Sequence, residues 1–259
     1  MRVATWNVNS LKARLQRVEE WIAQVQPDVL CMQETKMADA AFPAMAFQAL
    51  GYDTVHHGEG RWNGVAIASR VGIDEPRYGF GCDDPGLDSE ARILSATCGG
   101  VRITTVYVPN GRAVGHEHYH YKLAWLAELG RYLESTCDPA GSALVCGDFN
   151  IAPDDRDVWD PTEVHGATHV SPPEREALAE LLDWGLVDLF RELYDAPGLY
   201  SWWDYRAGNF HKHKGMRIDL MLGTKAMRER LRAMVIDRNA RKGQAPSDHA
   251  PLVADFAEG

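Results

Sequence analysis

The stretch at 143–151, ALVCGDFNI, reads as a buried strand that carries polar side chains to the edge of a sheet. A short run of small and branched apolar residues, 143–146, is followed by a break at Gly147. Asp148 and Asn150 come next, two positions apart, so extended backbone would point them the same way. A turn is the competing reading, because Gly-Asp and Asn are frequent turn residues. That reading loses ground because the pattern recurs. RVATWN ends at Asn7, VLCM runs into Gln33 and Glu34, and VRITTVYVPN ends with Tyr107 and Asn110; RIDLML carries Asp219, and SDHAPLVADF carries Asp248 and His249 near its start.

Working outward, 2–6 is a short strand, and 10–25 is an amphipathic helix with Leu11, Leu15, Val18 and Ile22 on one face and Ser10 as its cap. Further helices are expected over 43–50, 119–133 and 174–184. Between 52 and 107, TVHH, GVAIAS, ILSATC and VRITTVYV alternate with Gly-rich loops and suggest antiparallel pairing. Helices between strands, with several antiparallel strands, fit an α/β fold. The expected form is a four-layered α/β sandwich, two mixed β-sheets packed face to face with helices outside. No linker or low-complexity segment divides the 259 residues, so one domain over 1–259 is expected.

Composition is ordinary for a globular chain, 45% hydrophobic and 25% charged. No apolar run approaches the ~18 residues of a membrane span, and MRVATWNVNS lacks the apolar core of a signal peptide. Five cysteines without a C-x-x-C pair fit a soluble cytoplasmic protein. The net charge of −10 is uneven: between 206 and 242, eleven Lys or Arg face three acids, a local excess of +8. A basic segment on an acidic body can grip a polyanion, or can simply be a solvated surface.

If the strand ends converge on one rim, they bring together carboxylates, amides, a phenol and an imidazole. Clustered carboxylates raise one another's pKa unless a cation neutralises them. An oxygen-rich set without thiolate favours a hard ion, Mg²⁺ with Mn²⁺ as a substitute, over zinc. An acid paired with an imidazole holds one tautomer and stabilises its charged form. These parts suit metal-assisted attack of water on a phosphate ester.

The motifs TWNVNSL, QPDVLCMQETK, WNGVAIAS, YVPNGR, GDFNIAP, WWDYR, RIDLML and SDHAP run in order from residue 5 to 251, essentially the whole chain. Together they resemble the exonuclease III family of abasic-site endonucleases, within the DNase I-like superfamily that also holds inositol-phosphate phosphatases. WWDYR with GMRIDL points to the DNA-repair branch. The resemblance implies Mg²⁺-dependent hydrolysis of DNA phosphodiesters by a monomer acting on duplexes with abasic sites or blocked 3′ ends. It implies Glu34 as principal metal ligand, with Asn7, Asp248, Asp148, Asn150 and His249 around the ion. Asp148 would activate water that Asn150 positions, while His249 faces the phosphate and Asp219 orients it. Asp148 and His249 both qualify as the base. Tyr107, Asn110 and Arg112 would contact phosphate. Arg206, Lys212, Lys214 and Arg217 would grip the DNA backbone, and Trp202 with Met216 and Ile218 would wall a pocket for the bare sugar. Met216 departs from the aromatic that some members carry there.

Two rivals remain. A small-molecule phosphoesterase of the same superfamily shares the acids. His116-Glu117-His118-Tyr119-His120 matches the H-E-x-x-H of zinc peptidases, yet it directly follows the loop PNGRAVG and reads better as a polar helix start.

Overall fold

The computed structural model describes residues 1–258. Its strands are β1 (Arg2–Asn7), β2 (Val29–Gln33), β3 (Asp53–His57), β4 (Val65–Ser69), β5 (Asp74–Tyr78), β6 (Ile93–Cys98), β7 (Val101–Tyr107), β8 (Ala143–Asp148), β9 (Leu186–Asp188), β10 (Asp219–Thr224), β11 (Leu231–Ile236) and β12 (Leu252–Phe256). They form two six-stranded mixed sheets, β11-β12-β1-β2-β4-β3 and β5-β6-β7-β8-β10-β9. Each sheet has one parallel pair at its centre, β1 with β2 and β7 with β8, flanked by antiparallel pairs. A helix makes each parallel crossover, Leu11–Val25 in one half and Glu117–Thr136 in the other. The two halves of the chain therefore share a topology.

Strand periodicity explains the layers. Val29 and Cys31 of β2 and Leu144 and Cys146 of β8 point into one interior between the sheets. Their neighbours Leu30 and Met32 pack outward against Leu11, Val18 and Ile22 of the first helix. Val145 packs outward against Trp125, Leu126 and Leu129 of the second. Both faces of each central strand are covered, which is why these strands read as apolar runs rather than alternating ones. Among the described residues, no helix is long and apolar enough to cross a membrane.

Three local expectations change. β8 does not break at Gly147 but runs through it to Asp148. Glycine is needed there because a Cβ would lie 2.0 Å from the carbonyl oxygen of Val106. Asn150 is not extended: its φ of 51° turns the chain, so it does not simply repeat the direction of Asp148. Ser10 stands at the start of its helix with φ 83° and makes no side-chain cap. Its backbone N–H instead donates to Glu34 O at 2.7 Å, and that of Leu11 to Thr35 O at 3.0 Å. The helix start is fastened to the Glu34 turn. His116 precedes the second crossover helix, and its Nδ1 accepts from the His118 N–H at 3.1 Å. The H-E-x-x-H match is a helix start.

Candidate active site

Register places the first group. Tyr107, Asp148 and Asp219 pair directly across β7, β8 and β10, so three strand ends of one sheet stand side by side. The other sheet contributes Asn7 at the end of β1 and Glu34 just beyond β2. The loop before β12 adds His249, held through Ser247, whose hydroxyl donates to Asn7 O at 2.6 Å, and by Trp6 Nε1 donating to His249 O at 3.2 Å. The strand ends expected to converge do so at the rim between the sheets.

Asn7 Nδ2 donates to Glu34 Oε1 at 2.8 Å and to Asp148 Oδ2 at 2.9 Å, bridging the sheets. Donor atoms of Glu34, Asp148 and His249 lie within 4.8 Å of one another, a candidate metal centre. Asn7 was expected as a ligand, but its amide nitrogen faces the carboxylates and its oxygen accepts the Asn9 N–H at 3.0 Å. Asp248 stands outside the cluster, because its oxygens already accept from Asn9 Nδ2 at 2.9 Å and Trp202 Nε1 at 3.1 Å. Asn150 is engaged elsewhere, with Nδ2 donating to Val108 O at 3.0 Å and Oδ1 accepting from Asn110 Nδ2 at 3.2 Å. Of these donors the two carboxylates fit a hard divalent ion, since they face one point with no thiolate beside them.

His249 Nδ1 lies 2.8 Å from Asp219 Oδ2, and Nε2 lies 3.7 Å from Asp148 Oδ2. Burial opposes a charge on this ring, but Asp219 and Asp148 outweigh it and raise its pKa to about 10. Burial pushes Asp148 up to about 7, His249 opposing and Asp219 and Glu34 adding to the rise. The proton shared by the pair therefore rests on the imidazole. Tyr107 is driven well above its ordinary range by burial and by Glu34. Its ring lies under Arg92, whose Cζ is 4.7 Å from the centroid and whose Nε donates to Glu90. Arg92 thus backs Tyr107.

Non-glycine residues with positive φ collect here: Asn9, Ser10, Glu34, Lys36, Asn63, Arg112 and Asn150. Such backbone persists only where its surroundings over-determine it, as the hydrogen bonds above do.

The basic residues divide. Arg112, Arg206 and Lys212 are exposed, and Arg206 is folded onto Asp204. Lys214 lies 3.9 Å above the Trp159 ring. Arg217, expected to contact DNA, is fully buried and forks onto Asp157 at 2.6 Å and Asp188 at 2.7 Å. A guanidinium that is 0% exposed and bound to two carboxylates cannot reach a phosphate on the surface. Removing one partner of a buried pair costs about 3–5 kcal/mol. We expect Arg217→Met to lower Tm by roughly 10 °C and to leave the salt dependence of DNA binding unchanged. Lys212→Ala should leave Tm alone and flatten the slope of log K against log salt by about 0.9, the value of one phosphate contact. Melting curves and binding titrations in salt check both.

Trp202 and Met216 pair as an isolated bridge, and with Ile218 they pack on Val158, Val164 and Val170. Ile218 and Met216 are both buried within this cluster, at 2% and 8% exposure, so of the three only Trp202 is partly exposed. Trp203, by contrast, is core.

Several site residues escaped the sequence reading. Lys36 Nζ lies 2.7 Å from Glu34 Oε2 and donates to Asn9 Oδ1 at 2.6 Å. His169 Nδ1 donates to Asn150 O at 2.5 Å. Trp62, 66% exposed, sits on the loop whose Asn63 and Gly64 carbonyls accept from Lys36 and Thr35. Lys36 was in plain view inside QETK, and nothing in the pattern around His169 marked it.

Paired carboxylates, an acid–imidazole pair and a phenol at the rim of a four-layered α/β sandwich define a hydrolase of phosphate esters. Residues 4–249 match the Endonuclease/Exonuclease/phosphatase family. The exodeoxyribonuclease III of Haemophilus influenzae is 35% identical, the alignment covering 99% of this chain and 100% of that protein. An AP endonuclease structure from Archaeoglobus fulgidus superposes with TM-score 0.95 at 36% identity over 99% of both chains. A Neisseria 3′ phosphatase bound to a product DNA hairpin superposes with TM-score 0.94 at 38% identity over 100% of both. The chain belongs to the endonuclease/exonuclease/phosphatase family, in the branch of the DNA-repair nucleases.

Proposed function

We propose that this chain, as a cytoplasmic monomer with one catalytic domain, hydrolyses the P–O3′ bond of duplex DNA with Mg²⁺, Mn²⁺ substituting. Its targets are blocked 3′ ends, 3′-terminal nucleotides and abasic sites. The observation that carries this reading is the alignment of Tyr107, Asp148 and Asp219 across three strands opposite Asn7 and Glu34. All three activities are one reaction, in which a water oxygen bonds to phosphorus and the chain is left with a 3′-hydroxyl.

Asp148, with a pKa of about 7, is suited to take the proton of the attacking water. Asn150, held against Asn110 beside it, is placed to orient that water. His249 carries its proton at neutral pH, so its Nε2–H can donate to a phosphoryl oxygen as charge develops there. Asp219 fixes the ring in that orientation. Tyr107 and Asn110 supply further donors to the phosphate. A Mg²⁺ held by Glu34 and Asp148 would add positive charge beside the phosphate oxygens.

Outside the reacting centre, Arg112 and Lys212 are the exposed cations suited to the backbone. Trp62 with Arg61 on the rim offers a face on which a base can stack. The partly exposed Trp202, with Met216 packed behind it, suits a sugar without a base, which leaves the helix at lower cost than an intact nucleotide. Met at 216 is adaptable, so this surface discriminates less sharply than two aromatics would.

The test is product analysis on three labelled duplexes, with a 3′-phosphate, a blunt end and an internal abasic site. Metal-dependent release of a 3′-hydroxyl from at least one is expected. Hydrolysis of inositol phosphates with all three duplexes intact would move the chain to the small-molecule phosphoesterases.

A further inference from the structure

Behind the reacting groups lies a charged pair that the mechanism above does not use. Lys122 and Glu174 are both fully buried and paired through Lys122 Nζ and Glu174 Oε1. Lys122 comes from the crossover helix Glu117–Thr136, on the same stripe as Trp125, Leu126 and Leu129, where an apolar side chain would be the ordinary choice. Glu174 belongs to the first turn of the helix Pro172–Asp183.

Their other contacts converge on the two amides of the site. Lys122 Nζ donates to Asn150 O at 2.6 Å and reaches Asn110 O at 3.5 Å. Asn150 has left-handed backbone, which turns its carbonyl away from solvent into the interior, where it must find donors. It finds Lys122 and His169 Nδ1. Glu174 is saturated in turn: it accepts from the N–H of His169 at 3.0 Å, from Ser171 N at 3.1 Å and Oγ at 2.6 Å, and from Thr168 Oγ1 at 3.0 Å. Thr168 Oγ1 also lies 3.1 Å from Asn110 O. One cation and one carboxylate thereby tie the chain after β7, the chain after β8 and the His169 loop into a single body.

Stability alone is a poor reason for this arrangement. A buried ion pair contributes little net stability compared with apolar residues of the same volume. What it does supply is a fixed separation between Asn110 and Asn150, which meet through their side chains at 3.2 Å. Groups that orient water or phosphate lose rate quickly when misplaced by an ångström.

We propose that Lys122, with Glu174 as its counter-ion, is a positioning residue that sets the backbone of Asn150 and Asn110 for the hydrolytic step. The proposal rests on the hydrolase reading of this site. Wild-type turnover of the 3′-phosphate duplex tests that reading, and the ratio of variant to wild type tests the proposal.

The experiment compares Lys122→Met, Asn150→Ala and the two combined, with Lys122→Met/Glu174→Gln as a fourth protein. Lys122→Met alone leaves Glu174 buried and unpaired, so its fold is at risk. The Lys122→Met/Glu174→Gln protein removes both charges and should recover most of the lost Tm. The expected kcat of that folded double variant is still reduced about 10–100-fold, the range usual for residues that orient a ligand or reacting group, with KM for the duplex little changed. In the Asn150→Ala background, Lys122→Met should add no further loss per folded molecule, because what it positions is already gone. Recovery of kcat together with Tm in the charge-free pair would overturn the proposal. So would losses that multiply when Lys122→Met and Asn150→Ala are combined.

Discussion

Glu34→Ala is expected to lower kcat by about a thousandfold or more, the scale of removing a metal's charge from a phosphoryl transition state, while the protein stays folded. Glu34 stands on a left-handed turn just past β2, with Oε1 accepting from Asn7 and Oε2 facing Lys36. Its job is thus separable from the core, which lies below it between the sheets. Lys36 already places one positive charge against Glu34, a sign that the cluster attracts cations. Excess chelator should abolish wild-type activity, and Mg²⁺ or Mn²⁺ should restore it. A second readout does not need turnover. An ion that binds only the folded state raises Tm by mass action, so Mg²⁺ should raise the melting temperature of the wild type and not that of Glu34→Ala. Full activity in excess chelator would sink the metal assignment.

How much of this was legible in the sequence depends on what kind of fact is asked for. Strand ends were legible because an apolar run closing in an acid or amide is a local pattern, as in ALVCGD or VLCMQE. That Tyr107, Asp148 and Asp219 are neighbours was not, because their contact is a matter of register between strands far apart in the chain. The same limit produced the error at Arg217. A count of charges between 206 and 242 treats every cation alike, but Arg217 faces Asp157 and Asp188 inside the protein. Those partners lie 60 and 29 residues away, and no window of sequence joins them. Asp248 was misplaced for a related reason. Its neighbour His249 reaches the reacting centre, while Asp248 is turned aside to Asn9 and Trp202. Lys122 did leave a trace, a lysine on an apolar helical stripe, but that trace acquires meaning only once Glu174 and Asn150 are seen around it.

Asp219→Asn and His249→Ala should each be severe, and the double variant should be little worse than either alone. Asp219 touches no group that the substrate could reach, since it is fully buried and spent on His249 Nδ1 and the strand it begins. Its effect must therefore pass through the imidazole, and residues acting as one unit do not give additive losses. The charge argument adds a second, independent readout. With Asp219 and Asp148 beside it, His249 holds its proton to about pH 10. Because this pKa is raised above the roughly 6.5 of an unfolded histidine, the pair stabilises the fold fully below that value and the benefit fades as pH rises through 10. Asp219→Asn removes the larger of the two raising charges while burial continues to oppose protonation, so the ring should give up its proton at a much lower pH. In chelator, NMR titration of His249 should find imidazolium through neutral pH in the wild type and a downward shift in Asp219→Asn. Activity should follow, with kcat of Asp219→Asn falling between about pH 6 and 8, where loss of the imidazolium removes the donor to the phosphoryl oxygen. Losses that multiply in the double variant, or an unmoved His249 titration, would mean that the two residues act separately, and the donor role assigned to His249 would have to be given up.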